Sequence, residues 1–146
     1  MDLMKIPQVR DWTSGGSEFD PRAFVLSNVT VAEAVAVSMI LWPEFIEYRG
    51  CLFLKFLFDE QGVDTWFEQL QGDRRSIEAV VNHLHLWDVL APGCDVEYDV
   101  LGDFANRIAE MWRAVVRVCF PSRSFIVETR NDTKEYGSTL VFYSVE

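Results

Sequence analysis

The stretch Cys51–Phe58, CLFLKFLF, carries one polar residue, Lys55. Read as a β-strand, it puts Leu52, Leu54, Phe56 and Phe58 on one face and Cys51, Phe53, Lys55 and Leu57 on the other, because successive side chains alternate. A strand that is apolar on both faces must be covered on both, which argues for a central position between helices. The short run Phe45–Tyr48 precedes it, and Arg49-Gly50 offers the turn. Ser124–Arg130 and Ser138–Val145 also alternate, and Asn131–Gly137 between them reads as a hairpin loop.

The helices are marked by their ends. Thr30 and Glu33 have capping-box spacing, and from Val31 to Trp42 only Glu33 and Ser38 are polar before Pro43 stops the helix. A helix apolar nearly all round is expected to be buried on most sides. Val63–Leu70 reads as a short helix broken at Gly72. Asp73 then caps a helix from Arg74 to about Leu90, with Ile77, Val80, Val81 and Leu84 at helical spacing. A long helix from about Glu97 to Cys119 lines up Leu101, Phe104, Ile108, Met111, Trp112 and Val115. Glu97, Asp99 and Asp103 open it and Arg113 and Arg117 close it, each favouring the helix dipole by about 0.3–1 kcal/mol.

The order α-β-β-α-α-α-β-β predicts an α+β fold, an antiparallel sheet of about four strands packed with helices. Residues 1–20 read as a flexible N-terminal arm and residues 21–146 as a single globular α+β domain. The arm's Gly15-Gly16 pair lacks the Lys-Ser/Thr ending of a phosphate-binding loop, so a plain hinge is expected there.

Charge narrows the function. Of 146 residues, 13 are Lys or Arg and 23 are Asp or Glu, a net charge of −10. That balance speaks against nucleic acid and against anionic membrane surfaces as partners. Two windows hold acids and no bases, Phe56–Asp73 and Asp88–Asn106. Cys51, Cys94 and Cys119 form no Cys-x-x-Cys pair. This speaks against a zinc ribbon or a dithiol redox motif, and Cys51 and Cys119 are expected to be inert core thiols. With no long apolar run and no signal-peptide pattern, a cytoplasmic location is expected.

Few constellations carry chemistry. On a helix from Arg74 to Leu90, Glu78, Asn82 and His85 would share a strip about 60° wide, and a carboxylate beside an imidazole can act as a base. His83 would project about 160° away from His85, so the pair would not share an ion. Asp88 would fall within the apolar stripe unless the helix has frayed before it. Asp95-x-Glu97-x-Asp99 resembles a calcium loop only at its start, since Val100 stands where glycine is required. Neither a metal nor a cofactor is expected, and no catalytic residue is assigned. Trp66, between Asp64 and Glu68, has the composition of an interface anchor.

Three readings follow. The first is a non-catalytic binding module, resembling an immunity or antitoxin protein, that neutralises a basic protein partner through Asp59, Glu60, Asp64, Trp66 and Glu68. The second is a small-molecule-binding protein or enzyme using Glu78, Asn82, His85 and Asp88. The third is a homo-oligomer that buries the Val31–Trp42 helix.

Overall fold

Strand β2 (Cys51–Leu54) pairs antiparallel with β1 (Phe45–Tyr48), with Tyr48 opposite Cys51 and Phe45 opposite Leu54. Arg49 and Gly50 turn the chain between them at φ 52° and 80°, the left-handed geometry that suits a tight two-residue hairpin. The structure is a computed structural model describing residues 1–13, 18–132 and 137–145.

A second, three-stranded antiparallel sheet has the order β3 (His83–His85), β5 (Gly137–Val145), β4 (Ser124–Asp132). Its long hairpin runs in register from Ser124 opposite Val145 to Asp132 opposite Gly137. Six α-helices are present among the described residues. They are α1 (Pro7–Trp12), α2 (Pro21–Asn28), α3 (Val31–Leu41), α4 (Glu60–Gln69), α5 (Arg74–Val81) and α6 (Asp95–Cys119). The class is α+β. The single four-stranded sheet is replaced by sheets of two and three strands, and the order gains two early helices and a strand between α5 and α6.

β2 is buried on both faces, and each face feeds its own core. Leu52 and Leu54 join Leu84, Leu86, Ile108, Trp112 and Phe142 in the larger core. Cys51 and Phe53 join Val63, Phe67 and Ile77 in the smaller one. The strand stops at Leu54, however, and Lys55–Leu57 form a 3-10 turn. The turn exchanges the last two side chains, so Leu57 packs on the larger core and Phe58 on the smaller.

The capping box at Thr30 forms as the spacing predicts. Thr30 Oγ1 accepts from Glu33 N at 3.2 Å, and Glu33 accepts from Thr30 N at 2.7 Å. Those hydrogen bonds hold the Glu33 carboxyl below the usual carboxylate range. Residues of the expected arm form a 3-10 turn at Leu3–Lys5 and then α1. Trp12 and Phe19 both pack on Phe24, at 5.6 and 5.4 Å between ring centroids. The Gly15-Gly16 hinge lies outside the described residues.

Cys51 is buried, and desolvation, helped by the negative Glu78, pushes its thiol up to about 11. Cys119 is exposed at the end of α6, which corrects the expectation of a core thiol there. No helix among the described residues is long and apolar enough to cross a membrane.

Candidate partner-binding surface

The helix that was to carry Glu78, Asn82 and His85 on one strip ends at Val81. Leu84 and Leu86 are buried while His83 and His85 alternate with them, the period of a strand. The shared strip therefore does not exist. Glu78 and Asn82 remain neighbours one helical turn apart, and both are almost fully buried.

Their polar atoms are committed to backbone. Asn82 Oδ1 accepts from Leu54 N at 2.9 Å, while its Nδ2 donates to Leu52 O at 2.9 Å and to Phe142 O at 3.2 Å. Glu78 accepts from Leu52 N at 2.7 Å, from Ser144 N at 2.5 Å and from Ser144 Oγ at 2.9 Å. These are the β2 groups that face away from β1, together with β5 groups beyond the end of its pairing with β3. Two side chains thus do the work of a missing strand and join the two sheets. A buried backbone group without a partner costs about 1–3 kcal/mol, so this pair satisfies a structural demand.

His83 and His85 stand on one face of β3 with ring centroids 4.6 Å apart. The angular separation expected on a helix does not apply. Burial lowers the His83 pKa, and the neighbouring His85 and Arg130 lower it further. His85 also stacks parallel to Trp87 at 6.3 Å. Asp88 lies in a 3-10 turn, Leu86–Asp88, and is exposed, so no carboxylate enters the apolar stripe. Among the described residues, no group of three His, Cys, Asp or Glu side chains is arranged to hold a metal ion.

The acids of α4 have separate tasks. Asp59 caps the helix by accepting from Gly62 N at 2.7 Å. Asp64 accepts from Arg49 Nη1 at 2.9 Å and from Tyr48 Oη at 3.0 Å, and that bond raises the Tyr48 pKa. Glu60 and Glu68 are exposed and in no ion pair among the described residues. Trp66 is two residues from both Asp64 and Glu68, which on a helix puts it about 160° away from either. Trp66 therefore does not share a helix face with Asp64 and Glu68.

The largest departure from expectation is α3, in which no residue is buried. One face rests on the larger core through Ile40 and Leu41, and Trp112 Nε1 donates to Ile40 O at 2.8 Å. Val31, Val35, Met39 and, just past the helix end, Trp42 remain 83, 53, 52 and 58 % exposed. These four fall within about 80° of one another around the helix axis. They present on the order of 400–500 Å² of surface, towards the upper end of apolar patches on monomeric proteins.

The inner side of α3 borders an apolar groove of about 100 Å³, walled by Ala36, Ile40, Leu86, Val89, Leu90 and Phe104. One acid adjoins that wall in sequence, Asp88 directly before Val89, while Asp99 and Asp103 lie on α6 about 140° and 100° round the helix from Phe104. Asp103 takes the Met1 amine at 3.3 Å, while Asp88 and Asp99 are exposed and in no ion pair among the described residues. Sequence reasoning found the acids through the base-free window at Asp88–Asn106 but assigned α3 to the core. A helix apolar all round signals that something covers it, without saying what. Comparisons with protein-family models, curated proteins and solved structures give no match for this chain.

Proposed function

We propose that this chain is a non-catalytic protein-binding module that takes a basic polypeptide partner, as an immunity or antitoxin protein does. The observation that carries it is the exposed stripe Val31, Val35, Met39 and Trp42 beside an apolar groove, on a chain of net charge −10 in which Asp88, next in sequence to the groove residue Val89, is exposed and in no ion pair among the described residues. Apolar contact supplies affinity at the centre of such a surface, and unpaired carboxylates at its edge attract and orient a cationic partner. Glu60 and Glu68, exposed on α4, add to the chain's overall negative charge. The net charge of −10 favours a basic occupant over a second copy, whose like charge would repel it.

Two measurements test the reading. Sedimentation of the chain alone is expected to give a monomer; a dimer dispersed by V35E/M39E would make a second copy the occupant. Affinity capture is expected to retain a basic protein at about 0.05 M salt and release most of it at about 0.5 M, where charges are screened within a few ångströms. V35E/M39E is expected to abolish capture, and D88N/D99N to weaken it at low salt only. A partner captured equally well by wild type and V35E/M39E would overturn the proposal.

A further inference from the structure

The chain is acidic, yet three of its arginines line one cleft. Arg74 and Arg75 at the start of α5 and Arg123 ahead of β4 border an open cavity of about 870 Å³, together with Ser122, Ser124 and Ser144. Neither Arg74 nor Arg75 is in an ion pair among the described residues.

The guanidinium groups are held in place. Arg75 lies over the Tyr143 ring at 4.8 Å. Arg123 pairs with Glu47 at 2.9 Å and lies over Phe125 at 5.3 Å. The Arg74 guanidinium rests against Gly50, where an added Cβ would come within 2.9 Å of its Cζ. Gly72, at φ +78°, has nothing within 4 Å on its Cβ side, so that wall of the cleft is open.

The carboxylates at the cleft are engaged elsewhere. Asp73 caps α5 and accepts from Ser76 Oγ at 2.6 Å. Glu78 is bound to Leu52 and Ser144. Glu47 neutralises Arg123 in part. Hydrogen bonds from neutral donors do not cancel a carboxylate's charge, so the three guanidinium groups are set against Asp73, Glu78 and Glu47. What the cleft offers a tetrahedral oxyanion is the planar forks of Arg74 and Arg75, which no carboxylate takes in an ion pair among the described residues.

We propose that the Arg74–Arg75–Arg123 cleft binds a small phosphomonoester. A dianion matches the unpaired guanidinium groups, and the Ser122 and Ser124 hydroxyls can donate to its remaining oxygens. The cavity lies within the roughly 300–1,000 Å³ typical of small-molecule sites, so it has room for the esterified group. A long polyanion fits poorly, because it would extend beyond the cleft along a chain of net charge −10. This site is independent of the partner surface on α3, and either assignment can fail alone.

The test is calorimetric titration at constant ionic strength with inorganic phosphate, phenyl phosphate and a single-stranded oligonucleotide. Phenyl phosphate is expected to saturate one site with Kd below about 1 mM, and more tightly than inorganic phosphate. R74Q and R75Q are each expected to weaken it at least about tenfold, whereas R130Q, outside the cleft, leaves it within about twofold. Amide shifts in the wild-type chain give a readout that needs no variant: Gly72, Arg74, Ser124 and Ser144 are expected to move most. The proposal is overturned by no saturable binding up to about 10 mM, by equal loss in R130Q and R74Q, by shifts spread over other surfaces, or by tighter binding of the oligonucleotide.

Discussion

The latch formed by Glu78 and Asn82 and the outer face of α3 are opposites in composition, and their exposure is the reverse of what composition suggests. The polar pair is buried and the apolar stripe is exposed. A polar side chain goes inside when backbone groups there need partners and no strand supplies them. An apolar one stays outside when the fold has no second layer to lay over it. Among the described residues, β2 has no strand on the side away from β1, and α3 has nothing packed over Val31, Val35 and Met39 deeply enough to bury them. One gap is filled within the chain, and the other is left exposed.

The latch is the more sensitive of the two regions to substitution. Asn82→Leu keeps the branched shape but leaves Leu54 N, Leu52 O and Phe142 O without their side-chain partner. With each orphaned group worth about 1–3 kcal/mol, a loss of about 3–5 kcal/mol is expected in chemical denaturation. Glu78→Gln should cost less, about 1–3 kcal/mol, because its amide nitrogen would face a donor where an acceptor is required. If either variant unfolds like wild type, these residues are not structural, and a binding role for them reopens.

The attachment of α3 is a smaller effect. Trp112→Phe removes the bond to Ile40 O while keeping most of the buried ring. About 1–2 kcal/mol of global stability is expected to go. Hydrogen exchange should rise more in α3 than in α4, since α3 has no buried residue of its own. Equal acceleration in both helices would mean that α3 is not the weakly held element.

Legibility followed distance along the chain. The Thr30–Glu33 box, the Asp73 cap, the Arg49-Gly50 turn and the β4–β5 hairpin depend on residues a few positions apart, and each forms, although the hairpin's strands run on through Asn131, Asp132 and Gly137, which the pattern put in the loop. The end of α5 was hidden because Leu84 fits both the helical period from Ile77 and the strand period with Leu86. The latch was hidden because Asn82 reaches Leu52 and Phe142, 30 and 60 residues away. Hydropathy gave α3 its helix but not its covering, and the arginines of the cleft meet only after folding.

The histidine pair gives a smaller, pH-dependent effect. The His83 pKa is lowered from 6.5 in the folded chain, so the unfolded chain binds this proton more readily. Stability is therefore complete above pH 6.5 and falls as pH drops from there towards the folded value. In H83Q the denaturation midpoint is expected to change less over that acid limb than in wild type. A steeper limb in the variant would mean that His83 takes up its proton more readily in the folded chain than in the unfolded one.

The smallest stability change belongs to the most conspicuous surface. Val35→Ser and Met39→Gln remove apolar area that is more than half exposed and contributes little to either core. Each should shift stability by less than about 0.5 kcal/mol, within the range of ordinary surface substitutions. Their helix propensities lie close enough to those of the native residues to keep α3 formed. Capture of a basic partner should nevertheless fall sharply, because desolvated apolar anchors dominate interface energy. That separation, unchanged folding with lost binding, is the reverse of what Asn82→Leu should do. A loss of several kcal/mol from Val35→Ser would mean that the stripe is part of this chain's own core, and the contrast between the two regions would collapse.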